Sequence, residues 1–248
     1  NLPSLPTVYT QLLALLSSEQ AGAREVAGAI EQDPAMCAKI LQLVNSSFFG
    51  QSRRIASVQG AVAYLGFSMI KTLTLSVGIF QPIAGTPWGA SCLEALQAHA
   101  VFVSALAMRM LDGDKRRAED AFMAGMLHDV GKLVLGVGLP DEAAWVAEAS
   151  HASDRPMHEI EQERFGVTHA EIGAYILGLW GLPYAVVEAV AHHHAPGRVP
   201  QPSFDILAGV HVANALAHEI AAEAGSVAGP SREVDAAYLA ALGVAGEF

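Results

Sequence analysis

The sequence predicts an all-α fold, and three observations predict it. Apolar residues recur at helical spacing through nearly every segment, and no run alternates convincingly at period two. Start and stop signals also come in pairs that bracket those segments. At 248 residues the chain has room for one large domain or two small ones, with a substantial core in either case.

Taken in order, the elements begin with a helix over Val8 to Leu16. Asp33-Pro34 is a strong start signal, Asp as N-cap and Pro at the first helical position. Met36, Ile40, Leu41, Leu43 and Val44 form the apolar face of that helix, which stops near Asn45-Ser46. Ser57 caps the next helix, with Val58, Ala61, Val62 and Leu65 inward and Gly66 at its end. Ser68 opens another that runs through Ile70, Leu73, Val77 and Phe80 to Pro82. Gly85-Thr86-Pro87 is the best boundary, dividing an N-terminal helical lobe (residues 1–84) from a second helical lobe (residues 85–248), the two packed together. In the second lobe a helix from about Ser91 to Leu111 carries His99, and one from Ala118 carries His128-Asp129 near its end, just before Gly131. Thr168-His169-Ala170-Glu171 is a capping box that places His169 in a first helical turn. Pro183 starts the helix that ends in His192-His193-His194, and Phe204 to about Ala222 forms a last helix carrying His211 and Asn214.

Composition narrows the function. Hydrophobic residues make up 52% of the chain, and the mean hydropathy is +0.34. The most apolar stretch, Leu73 to Ala84, is nevertheless too short to cross a bilayer. No charged leader followed by an apolar run opens the chain, so neither a signal peptide nor a membrane partner is expected. The formal charge is −11, from 14 Lys and Arg against 25 Asp and Glu. A chain this acidic is repelled by a phosphate backbone, and its one dense basic patch, Lys115-Arg116-Arg117, reads as a solvated turn. Nucleic acid is not an expected partner. Cys37 and Cys92 lack the spacing of a thiolate metal site or a disulfide framework and read as buried thiols in a reducing, cytoplasmic setting.

The chemistry of the chain concentrates in its histidines. His128-Asp129-Val130-Gly131-Lys132 is preceded by His99 and followed by His169, His192, His193 and His211, on five predicted helices. Imidazole and carboxylate suit zinc, iron, manganese or nickel, and ligands drawn from several helices make a bundle-core site. Lys132 adds an ammonium suited to a phosphate oxygen. The spacing equally allows histidines that cap the last carbonyls of their helices, and His151, His158, His194 and His218 are assigned to caps or simple exposure. No nucleophile elbow, phosphate-cradling glycine loop or H-E-x-x-H element is present.

Over almost its whole length the chain resembles the HDOD family, the HD-related output domains of bacterial signalling proteins. The likeness is carried by Leu5-Pro6, Ile30-Glu31-Gln32-Asp33-Pro34-Ala35, Leu43 through Gly50, Ile55-Ala56-Ser57-Val58 and Ala63-Tyr64-Leu65-Gly66 in the first lobe. In the second it is carried by Gly125 through Lys132, Gly173 through Pro183, and His192-His193. The resemblance implies an HD-like second lobe and an output role through contacts with a signalling protein partner, without catalysis. It also implies kinship to the HD and HD-GYP hydrolases, so the alternative is a metal-dependent phosphohydrolase acting on a nucleotide or cyclic dinucleotide. By position, His99, His128 and Asp129 look like the superfamily's first ligands, and His169, His192 and His193 like the additional ligands of its two-metal members. Two departures stand out. The superfamily's final Asp position looks to be His211, with Asn214 following, and Ala195-Pro196-Gly197 stands where HD-GYP members have Gly-Tyr-Pro. The candidate metal set is therefore His99, His128, Asp129, His169, His192, His193 and His211, with a divalent transition metal as the candidate cofactor.

Overall fold

Asp33 begins the first well-defined cap as its residue type dictates: its Oδ1 accepts hydrogen bonds from the amides of Ala35 (3.0 Å) and Met36 (3.1 Å). The computed structural model describes residues 23–46, 49, 54–80, 90–200, 203–223 and 234–244. Helix is the only regular secondary structure among them, apart from one 3-10 turn at Pro196–Arg198. The opening helix expected at Val8 to Leu16 and the Gly85-Thr86-Pro87 boundary lie outside the described residues. The chain divides between Gln81 and Pro82 into two compact units.

In the first unit, α1 (Ala23–Glu31), α2 (Pro34–Val44), α3 (Val58–Leu65) and α4 (Phe67–Ile79) enclose a core of Val26, Ile30, Met36, Ile40, Val44, Val58, Ala61, Ile70 and Leu73. Asn45 ends α2 and ties it to the segment before α3. Its side-chain amide donates to the carbonyls of Leu41 (2.7 Å) and Ile55 (2.8 Å), and its Oδ1 accepts from the Ile55 amide (2.8 Å). Ser57 caps α3 through the Gly60 amide. Gly66 then adopts φ +84°, a left-handed value that a side chain disfavours, and so lets α4 start one residue earlier than Ser68, at Phe67.

The second unit is built from α5 (Ala90–Met110), α6 (Lys115–Leu127), α7 (Val130–Gly138), α8 (Pro140–Ser153), α9 (Met157–Phe165), α10 (His169–Leu179), α11 (Tyr184–His192), α12 (Ile206–Glu223) and α13 (Ala236–Ala241). Helix α5 lies against α6 and α12, and α10 lies against α7 and α11. Two glycines set these close approaches. A β-carbon on Gly125 would come within 2.6 Å of the Ser104 Cα, and one on Gly131 would collide with the His169 carbonyl. Gly131 is therefore a contact point inside α7 and not the helix terminator that its place after His128-Asp129 suggests. Residues 115–138 are the one stretch among those described that is long and apolar enough to cross a membrane, by length and composition. However, 78% of that window is buried within the fold, as befits core helices.

Candidate metal centre

The break between α6 and α7 brings His128 and Asp129 together. His128 closes α6 in helical conformation (φ −56°, ψ −34°), and Asp129 turns out of it (φ −101°, ψ 11°) before α7 begins. Neighbours that diverge by about 100° inside a helix here converge, with His128 Nε2 3.3 Å from Asp129 Oδ2. His99, midway along α5, places its Nε2 3.9 Å from the same oxygen. On the other side of the carboxylate, His169 Nε2 lies 3.2 Å and His193 Nε2 3.8 Å from Asp129 Oδ1. His169 is held as the first residue of α10 by the predicted capping box. Thr168 donates its amide to Glu171 Oε2 (2.8 Å), and the Glu171 amide donates to Thr168 Oγ1 (3.2 Å).

Hydrogen bonds fix which ring nitrogen each histidine turns to Asp129. His128 Nδ1 donates to the Gly125 carbonyl (2.7 Å) and His193 Nδ1 to the Val190 carbonyl (2.8 Å), so both present Nε2 inward. His169 Nδ1 lies 2.6 Å from Glu161 Oε2, which also accepts the His169 amide (2.8 Å). A carboxylate behind an imidazole in this way fixes the ring and raises its basicity, as behind metal-bound histidines. His193 Nε2, His128 Nε2 and Asp129 Oδ1 are buried without a hydrogen-bond partner. Buried polar groups are rarely left so.

Charge in the centre follows from burial and neighbours. Burial alone would raise the Asp129 carboxyl. Its interactions with His128 and with the Lys132 ammonium outweigh that and hold it well below the usual carboxylate range. Lys132 Nζ lies 2.5 Å from Asp129 Oδ2, and both side chains are shielded from solvent. Burial, reinforced by the neighbouring His128, pushes His99 down to about 3, and burial foremost pushes His193 well below the ordinary imidazole range. Those two rings are neutral at pH 7, the form in which imidazole ligates.

Of the residues that the sequence singles out, His99, His128, Asp129, His169 and His193 converge. His192 and His211 do not. His192 is the last helical residue of α11 and has no described contact with Asp129, whereas His193 lies just past the helix end and turns inward. His211 uses both nitrogens elsewhere. It accepts the Asp235 amide at Nε2 (2.9 Å) and donates from Nδ1 to the His193 carbonyl (2.8 Å), joining the α13 cap to the turn after α11. Asn214, one turn on, is the α12 residue that reaches the centre, its Oδ1 3.0 Å from His99 Nε2. His194, assigned to a cap or exposure, also corrects that reading. Its Nε2 is 2.9 Å from His169 Nε2, and its ring lies 3.8 Å from that of His193 and stacks on His158 at 4.2 Å. His218 packs against His99 with ring centroids 4.8 Å apart. Glu161 was missed altogether, because nothing in its spacing marks a glutamate on a polar helix as buried.

The donor atoms form two sets that share Asp129. One comprises Asp129, His169, His193 and His194, the other His99, His128 and Asp129, and within each set the atoms lie within 4.8 Å of one another.

Comparison with known proteins gives a consistent result. Residues 2–196 match the model of a family described as HDOD domain. A Treponema pallidum (strain Nichols) protein of uncharacterized function is 27% identical over 214 residues, which are 86% of this chain and 42% of that protein. The chain thus spans less than half the length of this relative. Among solved structures, an HDOD domain protein of unknown function from Geobacter sulfurreducens superposes with a TM-score of 0.74 at 23% identity, over 96% of this chain and 79% of that one. A Shewanella amazonensis SB2B protein, provisionally named a phosphohydrolase, superposes with a TM-score of 0.72 at 21% identity, over 100% of this chain and 86% of that one. These likenesses establish the all-helical fold.

Proposed function

The chain belongs to the HDOD family, and we propose on that footing that it is a signalling output domain. In this reading it passes its state to a protein partner and turns over no substrate. Its His–Asp centre is a metal-binding core retained for structure. The observation that carries the reading is the charge of the centre. Among the described residues, Asp129 is the one carboxylate with oxygens between the converging imidazoles, and Lys132 already neutralises one of those oxygens. Where the superfamily resemblance calls for a last carboxylate, α12 presents the neutral amide of Asn214.

The residues fit a first-row divalent ion. Imidazole nitrogen and carboxylate oxygen are its donors, and buried, unpartnered His193 Nε2 and Asp129 Oδ1 are atoms that it would satisfy. His169, His193, His194 and Asp129 would hold it, and it would supply Lewis acidity there. Glu161 keeps the His169 ring turned inward and its Nδ1 proton in place. Lys132 holds Asp129 ionised and is itself 6% exposed, poorly placed to meet a phosphate from solvent. The −11 charge argues against a nucleic-acid partner, and two free cysteines, half-buried Cys37 and exposed Cys92 rather than the buried thiols expected, suit a reducing cytoplasm. The first unit, which contributes no residue to the described metal-type cluster, is the part assigned to the protein partner.

A second reading, a metal-dependent phosphohydrolase acting on a nucleotide or cyclic dinucleotide, is favoured by the Glu161–His169 pairing. One assay separates the two. Metal-reconstituted protein is incubated with cyclic di-GMP, a nucleotide panel and a chromogenic phosphodiester, beside an Asn214→Asp variant. The expected result is no turnover by the unmodified protein. Robust hydrolysis that disappears in His128→Ala makes it an enzyme instead.

A further inference from the structure

Asp129 has two oxygens, and they are not equivalent. Oδ2 is bonded by the Lys132 ammonium at 2.5 Å, whereas Oδ1 is buried and lacks a hydrogen-bond partner. The imidazoles divide along the same line. Beside Oδ2 are His128 and His99, and His99 has its Nε2 on Asn214 Oδ1 at 3.0 Å. Two of the three donor atoms on that side, Asp129 Oδ2 and His99 Nε2, are thus already committed. Beside Oδ1 are His169 and His193. His193 Nε2 has no partner, and His169 Nε2, with its ring proton at Nδ1 on Glu161, presents a lone pair and faces His194 Nε2 at 2.9 Å. That contact between two imidazole nitrogens is one that a shared cation replaces readily.

We infer that Lys132 is a built-in replacement for a second metal ion: its ammonium occupies the cation position at Asp129 Oδ2, so the centre takes a single divalent ion, on the Oδ1 side, held by Asp129, His169, His193 and His194. The inference rests on the proposed metal-binding role and adds to it a stoichiometry, a side and a cause. Charge points the same way. Asp129 and Glu161 bring two negative charges to the centre and Lys132 one positive charge. One dication therefore leaves a small excess, whereas two beside a buried ammonium leave a large one, and uncompensated buried charge is strongly unfavourable. An ammonium satisfies a carboxylate oxygen as a hydrogen-bonding point charge, so the side chain at this position decides whether the Oδ2 side is available. Lys132 reaches it from the first turn of α7, three residues after Asp129, a placement that leaves the Oδ1 side untouched.

The test is metal stoichiometry, with no reliance on activity. Chelator-stripped native protein is titrated with Zn²⁺ and Co²⁺, and bound metal is counted by elemental analysis after desalting. The Co²⁺ absorption spectrum reports the ligand environment. The native chain is expected to bind one equivalent. His193→Ala should weaken it by more than about 100-fold, beyond the loss typical of an outer-shell partner, while His99→Ala should leave it nearly unchanged. Lys132→Met and Lys132→Gln should each bind a second equivalent, which His99→Ala then removes. Lys132→Gln keeps a hydrogen-bond donor for Asp129 if the methionine variant proves unstable, and the two histidine variants test the side without altering Lys132. Two equivalents in the native chain, or one that is lost with His99→Ala and kept with His193→Ala, overturn the inference and leave the metal-binding role standing. No metal in the native chain with one equivalent in the Lys132 variants overturns both the inference and the metal-binding role of the native centre. No metal in any of these proteins overturns both.

Discussion

Replacing Gly131 with alanine tests how the fold assembles the centre. The added β-carbon would sit inside contact distance of three backbone atoms of α10, the carbonyl oxygen and carbon of His169 and the amide nitrogen of Gly173, the last at 2.9 Å. None of these is the end of a flexible side chain, so relief requires α7 and α10 to move apart. Overpacking a close contact costs about 1–3 kcal/mol, and a backbone-to-backbone collision belongs at about 3 kcal/mol, the upper end of that range. For a chain of roughly this size each kcal/mol lowers Tm by about 2–4 °C, so Gly131→Ala should melt about 6–12 °C below the native protein. Gly178→Ala is the internal control. It lies in α10, and a β-carbon added there would meet nothing within 4 Å. Reduced unfolded-chain entropy should make that variant neutral or stabilising by about 0.4–1 kcal/mol. Thermal unfolding of both variants, followed by circular dichroism, is the assay. Because the collision falls on the backbone of His169, Gly131→Ala should also weaken metal binding, whereas Gly178→Ala should not. The reasoning fails if Gly131→Ala melts with the native protein, or if the two substitutions are equally harmful.

Two further outcomes follow from the electrostatics. Removing the acceptor in Glu161→Ala strands the His169 amide and Nδ1–H. It should cost about 2–4 kcal/mol in denaturant unfolding of metal-free protein and weaken metal binding by about 10–100-fold, with partial rescue by Glu161→Gln; an unchanged affinity would show that the pairing does not orient His169. The stability of the metal-free protein should also fall on acidification. His99 takes up a proton near pH 6.5 when unfolded but only at about 3 when folded, so across that window the unfolded state binds more protons and stability declines as pH falls. His193, Asp129 and Glu161 are shifted downward as well and act in the same direction. Denaturant midpoints between pH 7.5 and 5 should therefore decrease in the native chain and decrease less in His99→Gln, and a native profile flat across that range contradicts the assignment.

The sequence carries the caps and the helical order in plain form, because those depend on local chemistry. Asp33, Ser57 and Thr168 each cap the helix that their neighbours announce. What it carries less well is the phase of the site-bearing helices at their ends. Consecutive histidines 192, 193 and 194 look alike in sequence, yet α11 stops at His192 and His193 caps it, still in helical conformation (φ −60°, ψ −18°). From there His193 and His194 face the centre and His192 does not. On α12 a signal for the correct residue was present. Asn214 is an amide within a strongly apolar helix, and a buried amide must find a hydrogen-bond partner, which here is His99. His211, an equally good ligand type by composition, is consumed by Asp235 and the His193 carbonyl, and that pairing depends on where α13 packs. Glu161 was illegible for the same reason. Its burial is set by α9 meeting the start of α10, not by its own segment.

The arrangement around Asp129 also explains how one carboxylate can be buried at the junction of so many helices. Taking a carboxylate out of water costs several kcal/mol unless charge and hydrogen bonds compensate it. Lys132 supplies the charge from three residues away, so the compensation is encoded within one turn of α7 and forms as soon as that turn does. The imidazoles then arrive from α5, the α6 end, α10 and the turn after α11. Most of their outward nitrogens are satisfied by carbonyls of their own helices or by Glu161. The atoms of the centre left without a hydrogen-bond partner are Asp129 Oδ1 and His193 Nε2 on one side, with His128 Nε2 and Glu161 Oε1. Binding there would tie the turn after α11 to α10 and to the α6–α7 break. An ion bound there would therefore change how firmly these elements are joined without any substrate reaching the site, the kind of coupling that the proposed output role needs.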